Sequence, residues 1–420
     1  MKTNAAFFIA LRYLWARAHE GARFLRGAAA GIAVSLVPII VTLIVADGMI
    51  RGILDRFIEL GTAHLQVFNV PDNEIEDTVE RINQIEGIRG VWPERRGMGV
   101  LAGRTGRTGV SVRAVDPSFW DDSAGAQFLI VIDGEHSPQT DRDIVLGQTL
   151  AENIGASVGD TVRLMTVRDT DAGFRPRMAP FTVRGIMTSG YNELDALWCI
   201  ISFEGGRRVF APENTQMSLL VKIDSPYREV ENYLFAIHDE LDGRFSVFTW
   251  KDLLRSQYRS YQTSRQLLLF IMALIVIVAA VNVSSATSML ALERRKDIAV
   301  LKVTGGTVRG VTGIFLWGGF LTGLVGSIIG IGVGLLIGSN INELIRGLER
   351  FLSFFSRLFD GGEVSILDPG FYLETIPIII DWNTVLMIGI FAVLCSVLAS
   401  WIPARKAGRL KPMDLLRKST

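Results

Sequence analysis

Four stretches of this chain go without a charged side chain for longer than a soluble core would tolerate: Gly27 to Ala46, Gln266 to Leu292, Gly310 to Asn342 and Trp382 to Ala404. Crossing a bilayer as a helix takes about 20 apolar residues. Hydrocarbon satisfies no backbone N–H or C=O, so such segments have to be helices that bond themselves. Four transmembrane helices are expected. The 49% hydrophobic content is concentrated in these blocks, the distribution of an integral membrane protein. The first stretch follows Arg12, Arg17, Arg23 and Arg26 as a secretory signal would, yet its apolar run is longer and no small-residue cleavage site follows, so it reads as an uncleaved anchor.

Lysine and arginine beside the spans set the orientation. Lys2 and those four arginines precede the first span; Arg294, Arg295, Lys296, Lys302 and Arg309 separate the second from the third; Arg405, Lys406, Arg409, Lys411, Arg417 and Lys418 follow the fourth. With four spans, these segments share one side, the cytoplasmic one. The resulting plan has a cytoplasmic segment at 1–26, spans at 27–50, 265–292, 310–338 and 382–404, an outer domain at 51–264, a connector at 293–309, a short outer loop at 339–381 and a cytoplasmic tail at 405–420. Net charge is zero, from 43 basic and 43 acidic residues, so nothing argues for nucleic acid as a partner.

The outer segment is long enough for its own core. HLQVFNV, GVSVRAV, DTVRLMTV, FTVRGIM, LWCIISF, MSLLVKI and FSVFTW are rich in β-branched and aromatic residues and bounded by turn formers, as strands are. Glu74 to Ile85, Gly147 to Ile154 and Tyr227 to Leu241 carry helical spacing. The fold class expected is a membrane protein of four transmembrane α-helices with a large extracytoplasmic α+β domain inserted between helices 1 and 2.

The connector, ALERRKDIAVLKVTGGTVRG, starts with Glu293, Arg294, Arg295, Lys296 and Asp297, continues through Ile298, Val300, Leu301 and Val303, and stops at Gly305-Gly306. It reads as a small helix, apolar nearly all round. One reading is a membrane-surface turn whose basic residues hold the inner face; the other is a coupling helix that inserts into a soluble motor subunit.

In the third span Gly319 and Gly323, then Gly326, Gly330, Gly334 and Gly338, recur at four-residue spacing, which lets helices approach closely in lipid. Packing within one chain is the first reading and a dimer seam the second. Pro38 should weaken or kink the first span. The four histidines have no metal or triad spacing, Cys199 and Cys395 suggest no disulfide, and no Gly is followed by Lys, so a phosphate-cradling loop of the G-x-x-x-x-G-K-[ST] kind is ruled out. No catalytic, cofactor or metal site is expected, and nucleotide hydrolysis has to come from another subunit.

The connector ERRKDIAVLKVTGG, the glycine-studded span after it and the tail SWIPARKAGRLKPMDLLR resemble the permeases of ABC transporters in the macrolide-exporter and cell-division superfamily. DIVLGQTLAENIGASVGDTVRLM, TSGYNELDALWCIISFEGGRRVF and SILDPGFYLETIPIIIDW resemble, more narrowly, the lipoprotein-releasing permeases of diderm bacteria. The likeness runs from the first span to the tail. It departs at Thr304-Gly305-Gly306, where methionine or leucine, glycine and alanine are common, and through Trp92 to Ala126.

This resemblance implies a mechanotransmitter of the inner membrane in which two permease chains, as homo- or heterodimer, pair with an ATPase subunit that uses ATP. Lipoprotein enters a central cavity from the outer leaflet and is passed to a periplasmic chaperone. It places ATPase coupling on Glu293, Arg294, Ile298, Leu301 and Gly305. Val37, Ile40 and Val41 of the first span and Leu268, Ile271 and Ile275 of the second would line the lipoprotein cavity, or simply face membrane lipid. A loop between two predicted strands, RDTDAGFRPRMAP, stands where chaperone-recruiting relatives project a hook, which would consist of Phe174, Arg175, Pro176, Arg177 and Met178; an ordinary long hairpin loop would look similar. A related efflux or cell-envelope-regulating permease is the alternative.

Overall fold

The structure is a computed structural model and describes Phe8, Ala10 and residues 20–168, 175–210, 215–358 and 375–410. Contacts divide it into two compact units, one drawn from Met1–Gly48, Tyr261–Phe351 and Ile376–Thr420, the other from Met49–Ser260 and Leu352–Thr375.

Among the described residues, the membrane unit is built on four helices long and apolar enough to span: Glu20–Arg56, Arg255–Glu293, Val308–Ser339 and Trp382–Gly408. The expected fold class is the one found, with the α+β domain between the first and second spans. Pro38 sits inside the first helix without ending it. The glycines of the third span do two jobs within the chain. A Cβ at Gly319 or Gly323 would run into Ser400 or Ser396 of the fourth span. One at Gly326, Gly330, Gly334 or Gly338 would meet Ile32, Leu36, Ile40 or Ile44 of the first. The four-residue spacing is thus a pair of intrachain seams, where small residues let backbones approach and dispersion contacts accumulate.

At the outer edge of this unit Arg265 joins three elements. Its guanidinium lies 2.9 Å from Asp47 and 2.8 Å from Asp381, and it also donates to Thr384. The segment 339–381, read from sequence as a short loop, instead opens with an 18-residue helix, Ile341–Leu358. Its mixture of Glu, Arg and Asn with Leu, Ile and Phe lacks the hydrophobicity of a span but has a sharp 3.6-residue periodicity.

Among the described residues the outer domain holds ten strands: β1 (Leu65–Phe68), β2 (Ile88–Ala102), β3 (Arg107–Val115), β4 (Ile130–Gly134), β5 (Asp143–Gly147), β6 (Thr161–Arg168), β7 (Arg175–Thr188), β8 (Trp198–Ser202), β9 (Gln216–Ile223) and β10 (Ser246–Thr249). They run β10-β1-β9-β2-β3-β8-β5-β7-β4, while β6 pairs with both β2 and β7. That closes a six-strand circuit, β2-β3-β8-β5-β7-β6. Leu101, Val112, Leu146, Phe181 and Ile201 pack with Leu150 and Ile154 of the helix Gln148–Ile154 in its core. All seven expected strands and three expected helices are present within a few residues. β2, β4 and β5 were not foreseen. β2, IRGVWPERRGMGVLA, has the Gly, Pro and charge of a loop by propensity. It nonetheless pairs with three strands, β3, β6 and β9, because its charged residues are paired inside the domain.

Candidate coupling and binding surfaces

The second helix ends at Glu293, and Arg294 turns the chain into the connector helix Arg295–Val303. The bend keeps its hydrogen bonds: Arg294 N–H donates to the Leu290 carbonyl and Ile298 N–H to the Arg294 carbonyl, both at 2.9 Å. Arg294 also pairs with Asp297 at 3.1 Å. The other end is a Schellman motif, with Gly306 N–H on the Leu301 carbonyl at 2.7 Å and Gly305 N–H on that of Lys302 at 3.2 Å. It requires the left-handed φ of +94° at Gly305, so that glycine is fixed by backbone geometry. Thr307 then caps the third span by accepting from Gly310 N–H.

The helix is less uniform than its sequence suggests. Ile298, only 2% exposed, and Ala299 point inward, Ile298 into a cluster with Leu25, Leu290, Val311 and Phe315. Leu301 is half-buried and Glu293 exposed. The exposed apolar surface of the helix is Val300 and Val303, 63% and 70% exposed, with Arg295 and Lys296 beside them. Of the residues named for coupling, Ile298 holds the connector onto the spans and does not lie on the open face; the two valines, which packing but not sequence separates from it, take that place.

In the membrane unit Ile271 and Ile275 are exposed, forming with Leu267, Phe270, Leu274 and Val278 an open stripe on the second span. Val37, Val41 and Leu268 are half-buried. Ile40 is fully buried, seated against Gly334 of the third span, and so lines no cavity here; the same spacing that makes it apolar makes it a packing knob. An apolar groove of about 460 Å³ opens between the second and fourth spans, among Leu269, Met272, Val276, Met387, Phe391 and Leu394.

Phe174 lies outside the described residues, and Arg175 begins β7. Pro176, Arg177 and Met178 are exposed on the arm of a β6–β7 hairpin, where Val167 faces Pro176, Thr166 faces Arg177 and Met165 faces Met178. The hairpin positions the two described arms of the expected hook. A second feature of this domain was not foreseen: an open groove of about 1620 Å³ among Phe68, Met98, Val167, Phe210, Met217 and Phe248. Its floor depends on β2, so no sequence signal pointed to it.

The domain also holds a buried ionic clamp around the π-helical turn Phe57–Thr62 that follows the first helix. Arg113, fully buried on β3, bonds both the Glu94 carboxylate on β2 and the Leu60 carbonyl. Arg96 reaches Glu94 at 3.0 Å and the Gly61 carbonyl at 2.8 Å. Lys222 on β9 contacts Asp122 at 2.8 Å and Glu59 at 3.4 Å. Burial alone would raise the Glu94 carboxyl, but the guanidiniums of Arg113 and Arg96 outweigh it and hold it below the ordinary range. Burial lowers Arg113 to about 10, against the pull of Glu94. His64 is a satisfied core histidine: Nδ1 accepts from Ile223 N–H at 2.8 Å, so Nε2 carries the proton toward Glu59 at 2.9 Å. Among the described residues no three His, Cys, Asp or Glu side chains converge as a metal site.

Residues 269–412 match the family model of the FtsX-like permease C-terminal region, and residues 27–234 that of the MacB-like periplasmic core domain. The chain is 27% identical over 422 residues to the lipoprotein-releasing system transmembrane protein LolC of Neisseria meningitidis, covering 98% of each. It is 24% identical over 425 residues to LolE of Haemophilus influenzae, covering 98% of this chain and 99% of the relative. To the macrolide export ATP-binding/permease protein MacB of Wolinella succinogenes it is 22% identical over 406 residues, which is 92% of this chain and 57% of the relative.

Proposed function

Because the chain belongs to the LolC-like ABC transporter permeases of the MacB superfamily, we propose that it is the membrane subunit of a complex that releases lipoproteins from the membrane. The observation that carries this reading is the end-to-end similarity to both LolC and LolE, spans and outer domain together. The similarity to MacB supports the ABC permease architecture and leaves a related efflux or envelope-regulating transporter as the second reading.

The physical parts fit the first reading. Each buried CH₂ of an acyl anchor contributes about 0.8 kcal/mol, so lifting a multiply acylated protein out of a bilayer requires an external motor. The sequence offers no phosphate-cradling loop, and we assign ATP hydrolysis to a partner ATPase that docks on Val300 and Val303 of the connector. The stripe on the second span would face a second permease chain and the acyl anchors between them. The β6–β7 hairpin would capture a periplasmic chaperone. Both termini and the connector would be cytoplasmic, as their basic residues favour.

Affinity purification of the chain in mild detergent tests the assignment. Recovery of an ATPase subunit together with a lipoprotein-binding chaperone is the expected result; recovery of an ATPase with an efflux adaptor or a cell-wall hydrolase instead would favour the second reading.

A further inference from the structure

The helix Ile341–Leu358 starts two residues after the third span ends, and none of the expected docking roles uses it. At 100° per residue its side chains fall into three sectors. Ile341, Ile345 and Leu352 are half-buried on one side. Leu344, Leu348, Phe351 and Phe354 form an outward apolar face, with Phe351 58% exposed. Glu343, Arg346 and Arg350 lie on the remaining exposed side. Its beginning is fixed at the outer rim of the membrane unit. The Asn342 amide donates to the Ile376 carbonyl at 2.9 Å and accepts from Ile376 N–H at 3.1 Å. The neighbouring Pro377 packs on Gly48, next to Asp47 of the Arg265 triad. A charged triad cannot sit in hydrocarbon at little cost, so it marks the boundary layer, and the helix begins in that layer.

We propose that Ile341–Leu358 is an interfacial helix that lies in the headgroup layer of the outer leaflet. Leu344, Leu348, Phe351 and Phe354 are immersed in the acyl boundary, and Arg346 and Arg350 reach phosphate. The occupant of its apolar face is the bilayer itself, continuous with the lipid around the third span. A sharply divided helix with aromatic and leucine side chains opposite arginines has the composition that binds this way. The proposal concerns the spans and stands whatever the transporter carries.

The test uses the full chain with Cys199→Ser and Cys395→Ser, to which Leu344→Cys, Phe351→Cys or Arg346→Cys is added singly. Each protein is reconstituted in vesicles of phosphatidylethanolamine and phosphatidylglycerol. A membrane-impermeant thiol reagent should label positions 344 and 351 about tenfold more slowly than position 346. A fluorophore at 351 should be blue-shifted and quenched more by lipids with a nitroxide near the headgroup than by lipids with one near the chain end. Equal labelling at all three positions would overturn the proposal. So would strongest quenching from the chain end, or a 351-to-351 crosslink between copies without lipid quenching, which would give the face to a second chain.

Discussion

Gly334 and Ile40 stand so close that a Cβ on the glycine would lie 2.8 Å from the Cβ of the isoleucine. One turn away, a Cβ added to Gly330 would lie at the same distance from the Cβ of Leu36. The third span is therefore locked along the first by shape, in a solvent where apolar burial itself gives little.

Gly334→Val should push these helices apart and cost about 1–3 kcal/mol, the range for overpacking. Gly332→Ala, where an added Cβ meets nothing within 4 Å, should be nearly silent. The fraction of monodisperse protein surviving a heating series in detergent checks both. Equal melting of the two variants would mean that this seam does not hold the helices together.

How much of this was legible beforehand depended on which forces each segment obeys. The spans were readable because hydrocarbon imposes one requirement, long uncharged helices, on every residue. Ile40 and Ile298 were readable as apolar but not as inward-facing: Val37 and Val300 have the same chemistry, and only the neighbouring helices decide which side is covered. β2 was hidden because Glu94, Arg95 and Arg96 look solvated until Arg113 and the turn at Leu60–Gly61 are brought to Glu94 and Arg96, and Asp72 to Arg95, from elsewhere in the chain. The helix Ile341–Leu358 fell between criteria, too charged for a span and too apolar for a loop.

The buried clamp predicts an acid limb in the stability of the outer domain. Glu94 has a folded pKa below its unfolded value. Its contribution is then fully present above the unfolded carboxylate value of about 4.3 and is lost as pH falls through the folded value. Asp122, also lowered, acts in the same sense, whereas Asp195, raised by burial, acts in the opposite one. Glu94→Gln should lower stability at neutral pH by about 3–5 kcal/mol, since Arg113 is left buried without its counter-ion, and should flatten the acid limb. Tryptophan-monitored unfolding of the full chain between pH 7 and pH 3 reads both; an acid limb unchanged in slope would contradict the pairing.

On the connector, exposure divides the expected effects. Val303→Asp should leave the chain folded but uncouple ATP hydrolysis from transport, because the charge would be buried unpaired at the ATPase contact. Ile298→Asp should instead lower the yield of folded protein, as it puts the charge in the core of the membrane unit. A Val303→Asp complex with wild-type ATPase binding and release would remove the connector from the coupling path.

Deleting residues 172–178 should abolish chaperone capture while leaving the membrane complex assembled and its ATPase active. The deletion takes the partners of Met165–Arg168, but Thr161–Leu164 stay paired with Ala179–Thr182 and should hold the base of the hairpin. Crosslinking to the chaperone at the wild-type level would assign capture to another surface, such as the partner permease.

The central claim is best tested by release itself. The chain, its ATPase subunit and a triacylated lipoprotein would be placed in proteoliposomes, with the soluble chaperone outside and ATP supplied to the ATPase. Chaperone-bound lipoprotein should accumulate in the supernatant only when ATP and this chain are both present. ATP-dependent turnover that leaves all lipoprotein in the vesicles would contradict the account.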